Sequence, residues 1–200
     1  MANTQAQFGF QHFGYSPGGA VDYQLSKYQI RSAYASAIYF GDPVIKSAST
    51  QYIQLSIGTG GGAAGTTISG IFYGCQYTPT GGIPTWAPWF PGTGVGADAT
   101  AYVMDAPNAL FRVAALLTPI PATAMGNCIG YSTGAGGTTV GGGFSTYVVD
   151  QSIMNTTAAF QLVSFYPGLG NGSDSTTNYN WVIVAFNTQR YKSSGTTGVA

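Results

Sequence analysis

Along this chain, apolar residues recur with a period of two rather than 3.6, which is the pattern of β-strands. The segment 52–57 places Ile53, Leu55 and Ile57 on one face, as a half-buried strand requires. The segment 181–186 is apolar throughout, so it predicts a strand that is buried on both faces. Other β-prone runs are separated by clusters of Gly, Thr, Ser and Pro, and they lie at 71–77, 101–104, 109–113, 144–149 and 159–166.

Helix formers are scarce, because the 200 residues include no glutamate and only three lysines. Only the region 25–38 is ambiguous, since Leu25, Tyr28 and Ile30 fit either a short helix or a strand. We therefore predict an all-β protein, either a β-sandwich or a β-barrel, with long Gly/Thr/Pro-rich loops and little helix. No clear linker divides the chain, and residues 1–200 are predicted to form a single β-rich domain.

Turn-forming residues punctuate the strands. The sequence Asp-Ala-Pro-Asn at 105–108 predicts a turn that pairs the run before it with the run after it. Asp42, before Pro43, is predicted to form a turn, and the oxygen-rich stretch 171–178 is predicted to be a polar turn rather than a calcium site.

Charge is low and balanced. Only 6% of residues are charged, against roughly 25% in an average protein, and the six acidic and six basic residues cancel. Such a chain has no basic surface for nucleic acid or for an anionic membrane. Its single histidine, His12, has no Cys or Glu companion, so a structural role is expected for it. We predict no enzyme activity, and no catalytic, cofactor-binding or metal-binding residues.

Three further sequence patterns give little information about function. The glycines of 60–65 match GxGxxG, but a strand-like run follows them where a nucleotide fold needs a helix, so a hairpin loop is expected. Cys75 and Cys128 are expected to be buried free thiols, although their pairing is open. The start of the chain lacks the features of a signal peptide, and no apolar run is long enough for a membrane helix.

The loop 84–91 is the most unusual local stretch, because Trp86, Trp89 and Phe90 lie among three prolines. Proline excludes a central strand here. The loop can fold inward and cap one end of the fold, contact a protein partner, or stack on a sugar ring. We select Trp86, Trp89 and Phe90 as candidate interface residues.

An uncharged N-terminal arm, residues 1–15, carries Phe8, Phe10 and Phe13. These phenylalanines are also candidate interface residues. The arm can add a strand to the sheet of a neighbouring chain, or it can pair within its own chain.

Several segments, taken in order, resemble a family of tailed-bacteriophage virion proteins known as decoration, cement or capsid-stabilising proteins, which are common in marine phages. The resemblance lies at 18–20, 34–35, 38–44, 71–77, 86, 89–92, 101–113, 129–130 and 182–187. One departure is Asp105-Ala106, where family members often carry two acidic residues before the proline.

This resemblance implies a mostly β protein, made in the host bacterial cytoplasm, that binds the outer surface of the phage capsid without enzymatic activity. The implied partner is the major capsid protein, whose subunits it would bridge, and self-association is expected with a trimer favoured. It supplies no catalytic residues. The alternative is a capsid- or tail-associated adhesin that binds carbohydrate through the loop 84–91.

Overall fold

The computed structural model of the chain describes residue 3 and residues 8–16, 24–47, 50–56, 67–116, 118–133 and 143–192. Ile57 and the glycine motif at 60–65 lie outside these residues, as does the segment 18–20. The described residues form twelve strands and one short 3₁₀ turn, Ala122–Ala124. The first six strands are β1 (Gln11–Tyr15), β2 (Ser26–Ile30), β3 (Pro43–Lys46), β4 (Ile53–Leu55), β5 (Gly70–Tyr77) and β6 (Thr85–Ala87). The other six are β7 (Ala99–Met104), β8 (Ala109–Ala114), β9 (Cys128–Thr133), β10 (Tyr147–Met154), β11 (Phe160–Phe165) and β12 (Trp181–Phe186).

These strands build two antiparallel sheets that pack together as a β-sandwich rather than a closed barrel. Sheet I has the order β1-β8-β12-β11-β9-β10, and sheet II has the order β2-β7-β5-β3-β4, with β6 paired to β5. The all-β prediction is confirmed. The ambiguous region 25–38 contains strand β2.

The core shared by the sheets is supplied mainly by sheet I, and several aromatic side chains lie in it. Phe10 stacks on Phe160 with ring centroids 4.4 Å apart, and Tyr131 meets both rings edge-on. Sheet II contributes Ile71 and Met104 to the same cluster.

A second core lies on the other face of sheet II, because apolar residues in its strands alternate between two buried faces. Phe72 follows Ile71 in β5, and Val103 precedes Met104 in β7. Both Phe72 and Val103 belong to this second cluster. Its remaining members include Ile30, Ile38 and Phe90, which come from an edge strand and two connecting segments. Sheet II is therefore covered on both sides.

The predicted pairing across the turn at 105–108 is wrong. The turn exists, since Ala109 N donates to Ala106 O at 3.0 Å, but it carries the chain from sheet II to sheet I. Strand β7 already has β2 and β5 as neighbours, and β8 has β1 and β12. With both edges of each strand occupied, the two strands cannot form a hairpin.

Two other predictions are confirmed. Strand β12 is central in sheet I, and Ile183 on one face and Val184 on the other are both buried. Cys75 and Cys128 are buried free thiols, and burial raises the pKa of Cys75 to about 12.

Candidate interaction surface

The β5–β6 hairpin displays the two most exposed large apolar side chains of sheet II. Pro84 and Pro88 confine β6 to three residues on the edge of β5. Trp86 is 60% exposed and Ile83, in the connecting turn, is 79% exposed. The Trp86 indole lies against Gly74, because its Cζ2 atom is 3.0 Å from the position that a Cβ would take there. The ring is thus held on one side by the hairpin and open to solvent on the other.

The later part of the loop, residues 87–91, folds inward. Phe90 is completely buried in the second core, and its backbone exchanges two hydrogen bonds with Ile38, at 2.7 and 3.1 Å. Trp89 is half-buried and stacks on Tyr39, with centroids 6.4 Å apart. The prediction that Phe90 is an interface residue is therefore wrong, because its ring fills the core. The inward alternative therefore holds for Phe90, whereas Trp86 is exposed and contact with a partner or a sugar stays a prediction for it.

Residues 11–15 of the N-terminal arm pair within their own chain. Strand β1 forms the edge of sheet I and pairs antiparallel with β8, with a bulge between His12 and Gly14. Phe10 is completely buried, so the prediction that it is an interface residue is wrong. Phe13 lies at the bulge and is 45% exposed, which leaves it available for contact.

Phe8 is part of an aromatic cluster on the outer face of sheet I. The Arg112 guanidinium lies 4.9–5.2 Å from the ring centroids of Phe8, Tyr166 and Trp181, within the range of cation–π attraction. Asn3 extends this anchoring, since its side chain donates to Asp174 O at 2.7 Å. Phe8 therefore holds the arm to its own sheet rather than offering a free ring to a partner.

Substitution of Gly172 tests how the N-terminal arm is anchored to sheet I. Its φ is +84°, and a Cβ there would overlap the Trp181 indole. We expect Gly172→Ala to displace Trp181, expose Arg112 and destabilise the protein by about 2–4 kcal/mol, as a combined result of backbone strain and steric overlap. The control is Gly170→Ala, because Gly170 also has positive φ but has open space around it. Urea unfolding of both variants measures the difference, and equal losses would show that only backbone strain matters.

Other exposed apolar residues were missed by sequence reasoning. Val163 falls in an alternating strand run, but a bulge between Leu162 and Ser164 breaks the register and turns its side chain to solvent. The other such residues are Phe144, Leu169 and Tyr191. No local pattern distinguishes them from buried residues of the same type.

Asp42 was predicted to form a turn, which the structure confirms, but it is also buried beside a cavity. Tyr39 N donates to its Oδ2 at 2.7 Å, and Ser145 donates a second hydrogen bond. Only 2% of the residue is exposed, and burial raises the pKa of its carboxyl from 3.8 to about 7. The one available sequence clue was a carboxyl inside the apolar run 38–45.

The remaining polar candidates lie in a packed position and in a turn. His12 packs against Tyr15 and Phe111, and burial lowers the pKa of its imidazole. Asp174 accepts hydrogen bonds from Thr176 N and Oγ1, at 2.9 and 2.7 Å, which confirms a polar turn.

Within the described ranges, no three His, Cys, Asp or Glu residues come together as a metal site. The described part of the chain also contains no helix with the length and apolarity needed to span a bilayer.

Comparison of the chain with protein-family models, with curated proteins and with solved structures finds no match.

Proposed function

We propose that this protein is a non-enzymatic structural component of a bacteriophage particle that binds the outer surface of the capsid and bridges neighbouring capsid subunits. The observation that carries the proposal is the exposed pair Ile83 and Trp86, held on a hairpin whose other side is anchored in the core. Tryptophan is among the residue types that most often dominate protein–protein binding energy. The capsid as partner comes from the sequence resemblance described above.

Low charge supports a surface that is covered in an assembly. With formal net charge of zero and 6% charged residues, little electrostatic repulsion opposes association with another protein surface. Burial of several hundred Å² of apolar area contributes on the order of several kcal/mol per copy before the entropy of association is subtracted. Contacts from one copy to two subunits act multivalently, so rupture of the shell would have to break them together.

Capsid binding by hairpin variants tests the proposal. We expect the double variant Ile83→Ser/Trp86→Ala to bind capsids of the parent phage at least about 30-fold more weakly than the wild type, as for loss of an interface hot spot. Both side chains are exposed, so the fold should be unaffected. Leu169→Ala is the matched control, because Leu169 is a fully exposed apolar residue elsewhere on the surface. Co-sedimentation with purified capsids measures binding.

The outcomes separate the proposal from its alternative. If the double variant and the control bind capsids equally well, the hairpin is not the contact surface. If capsid retention is unchanged but Trp86→Ala abolishes binding on a glycan array, the carbohydrate-binding adhesin is correct. If quantitative mass spectrometry finds no copies of the chain in purified virions, both versions of the virion hypothesis fail.

A further inference from the structure

A cavity of about 270 Å³ lies where the chain passes between the two sheets, beside Asp42. The segment that carries Asp42 contacts both sheets: Gly41 O accepts from Phe10 N at 3.0 Å, and Asp42 O accepts from Phe72 N at 2.8 Å. Ser145, which bonds the carboxyl, precedes β10. The carboxyl therefore occupies a fixed position in the fold, held by elements on three sides.

No basic group of the described chain balances this carboxyl. The described residues that line the cavity include no Lys, Arg or His, and no second carboxyl. Two hydrogen bonds favour the ionised form of Asp42, but burial outweighs them. Burial of a carboxylate without a cation costs free energy, so a cationic ligand that pairs with the carboxylate would bind favourably there.

The lining defines what such a ligand must look like. Thr133, Thr146 and Tyr147 line the cavity with hydroxyl-bearing side chains, and Ala37 and Leu55 add apolar lining. A carboxylate has about four lone-pair positions, of which the known bonds use two. An ammonium group has three donors and no acceptor, and a short alkyl chain fits the apolar wall.

We infer that this cavity binds a primary ammonium group carried on a short alkyl chain, with Asp42 as its counter-ion and the neighbouring hydroxyls as additional acceptors. A free alkylamine and the lysine side chain of a partner protein share this chemistry. A divalent metal fits less well, because one carboxylate and a few hydroxyls do not supply the six to eight oxygen ligands that calcium takes.

Binding of n-butylammonium to the full chain, followed by NMR titration, tests the inference directly. We expect saturable shifts at residues that line the cavity and none with n-butanol, which has the same chain without the charge. Asp42→Asn should weaken binding at least tenfold, because the variant keeps the shape and removes the charge. Thr146→Val, which removes one hydroxyl, should weaken it by about threefold.

Acidity provides a second measurement. Since the ligand needs the ionised carboxyl, binding should be about tenfold weaker at pH 6 than at pH 8. Among the described residues, the other titratable groups around Asp42 are the phenols of Tyr34, Tyr39 and Tyr147. Burial raises the pKa of both Tyr34 and Tyr147, so neither ionises in this range. Butylammonium also remains charged throughout.

A blocked lysine, N-acetyl-lysine methylamide, identifies the source of the ammonium group. Binding comparable to butylammonium indicates a protein side chain, and binding of the free amine alone indicates a small molecule. No saturable binding of butylammonium, or equal binding by wild type and Asp42→Asn, would overturn the inference. Because these probes need no capsid, their failure leaves the proposed function untouched, and failure of capsid binding leaves the cavity untouched.

Discussion

Asparagine at position 42 is expected to stabilise the protein, and the gain should be about 3 kcal/mol larger at pH 8 than at pH 5. Asp42 is buried, and the pKa of its carboxyl rises from 3.8 to about 7 on folding. A folded state that holds its proton more tightly than the unfolded state loses stability as pH rises. The contribution of Asp42 is thus complete below about pH 4 and is lost progressively up to about pH 7. Asparagine does not titrate, so the variant escapes this loss.

Urea unfolding of both proteins across this pH range measures the effect. Asp98→Asn is the matched control, because Asp98 is exposed and accepts hydrogen bonds from Tyr52 Oη and Ser32 N, at 2.5 and 2.9 Å. These bonds lower the pKa of Asp98, so Asp98→Asn should reduce stability at neutral pH, whereas Asp42→Asn should increase it. A difference between Asp42→Asn and wild type that is independent of pH would show that Asp42 is not buried in the folded protein.

Phe10→Ala is expected to destabilise the protein by about 3–5 kcal/mol, which is the usual result of removing a fully buried phenylalanine. Phe10 has no exposed surface, stacks on Phe160 at 4.4 Å and belongs to the core shared by both sheets. Its backbone N–H also bonds Gly41, which fixes the start of β1. The free energy of unfolding from urea titration measures this loss.

Phe13→Ala is the control for the same segment, since Phe13 is the same residue type, three positions later and half-exposed. We expect it to change stability by less than about 1 kcal/mol. Equal effects of the two substitutions would contradict the docking of the arm in the core. A midpoint that rises with protein concentration in the wild type, but not in Phe10→Ala, would instead show that the arm docks into a neighbouring chain.

Phe10 and Phe13 differ in a way that the sequence does not predict. Both belong to one uncharged segment, and the sequence predicts both as interface residues. A bulge after His12 and the packing of Phe160 decide that one ring enters the core while the other faces solvent. Trp86 and Phe90 differ in the same way. Trp86 lies in β6, which pairs with β5, whereas the backbone of Phe90 pairs with that of Ile38 in the second core.

The period of two, the continuous apolar run at 181–186 and the scarcity of helix formers predict the all-β class and the burial of β12 on both faces, because these features depend on each segment's own preference for a pleated, apolar environment. The burial of Cys75 and Cys128 is predicted separately, because there are only two cysteines. Three features appear only in the folded chain: the segment 105–108 crosses between sheets, some phenylalanines face inward and others do not, and Asp42 lies beside a cavity with no counter-ion among the described residues. Strand pairing and side-chain burial depend on contacts between residues far apart in the chain, and local periodicity does not encode such contacts.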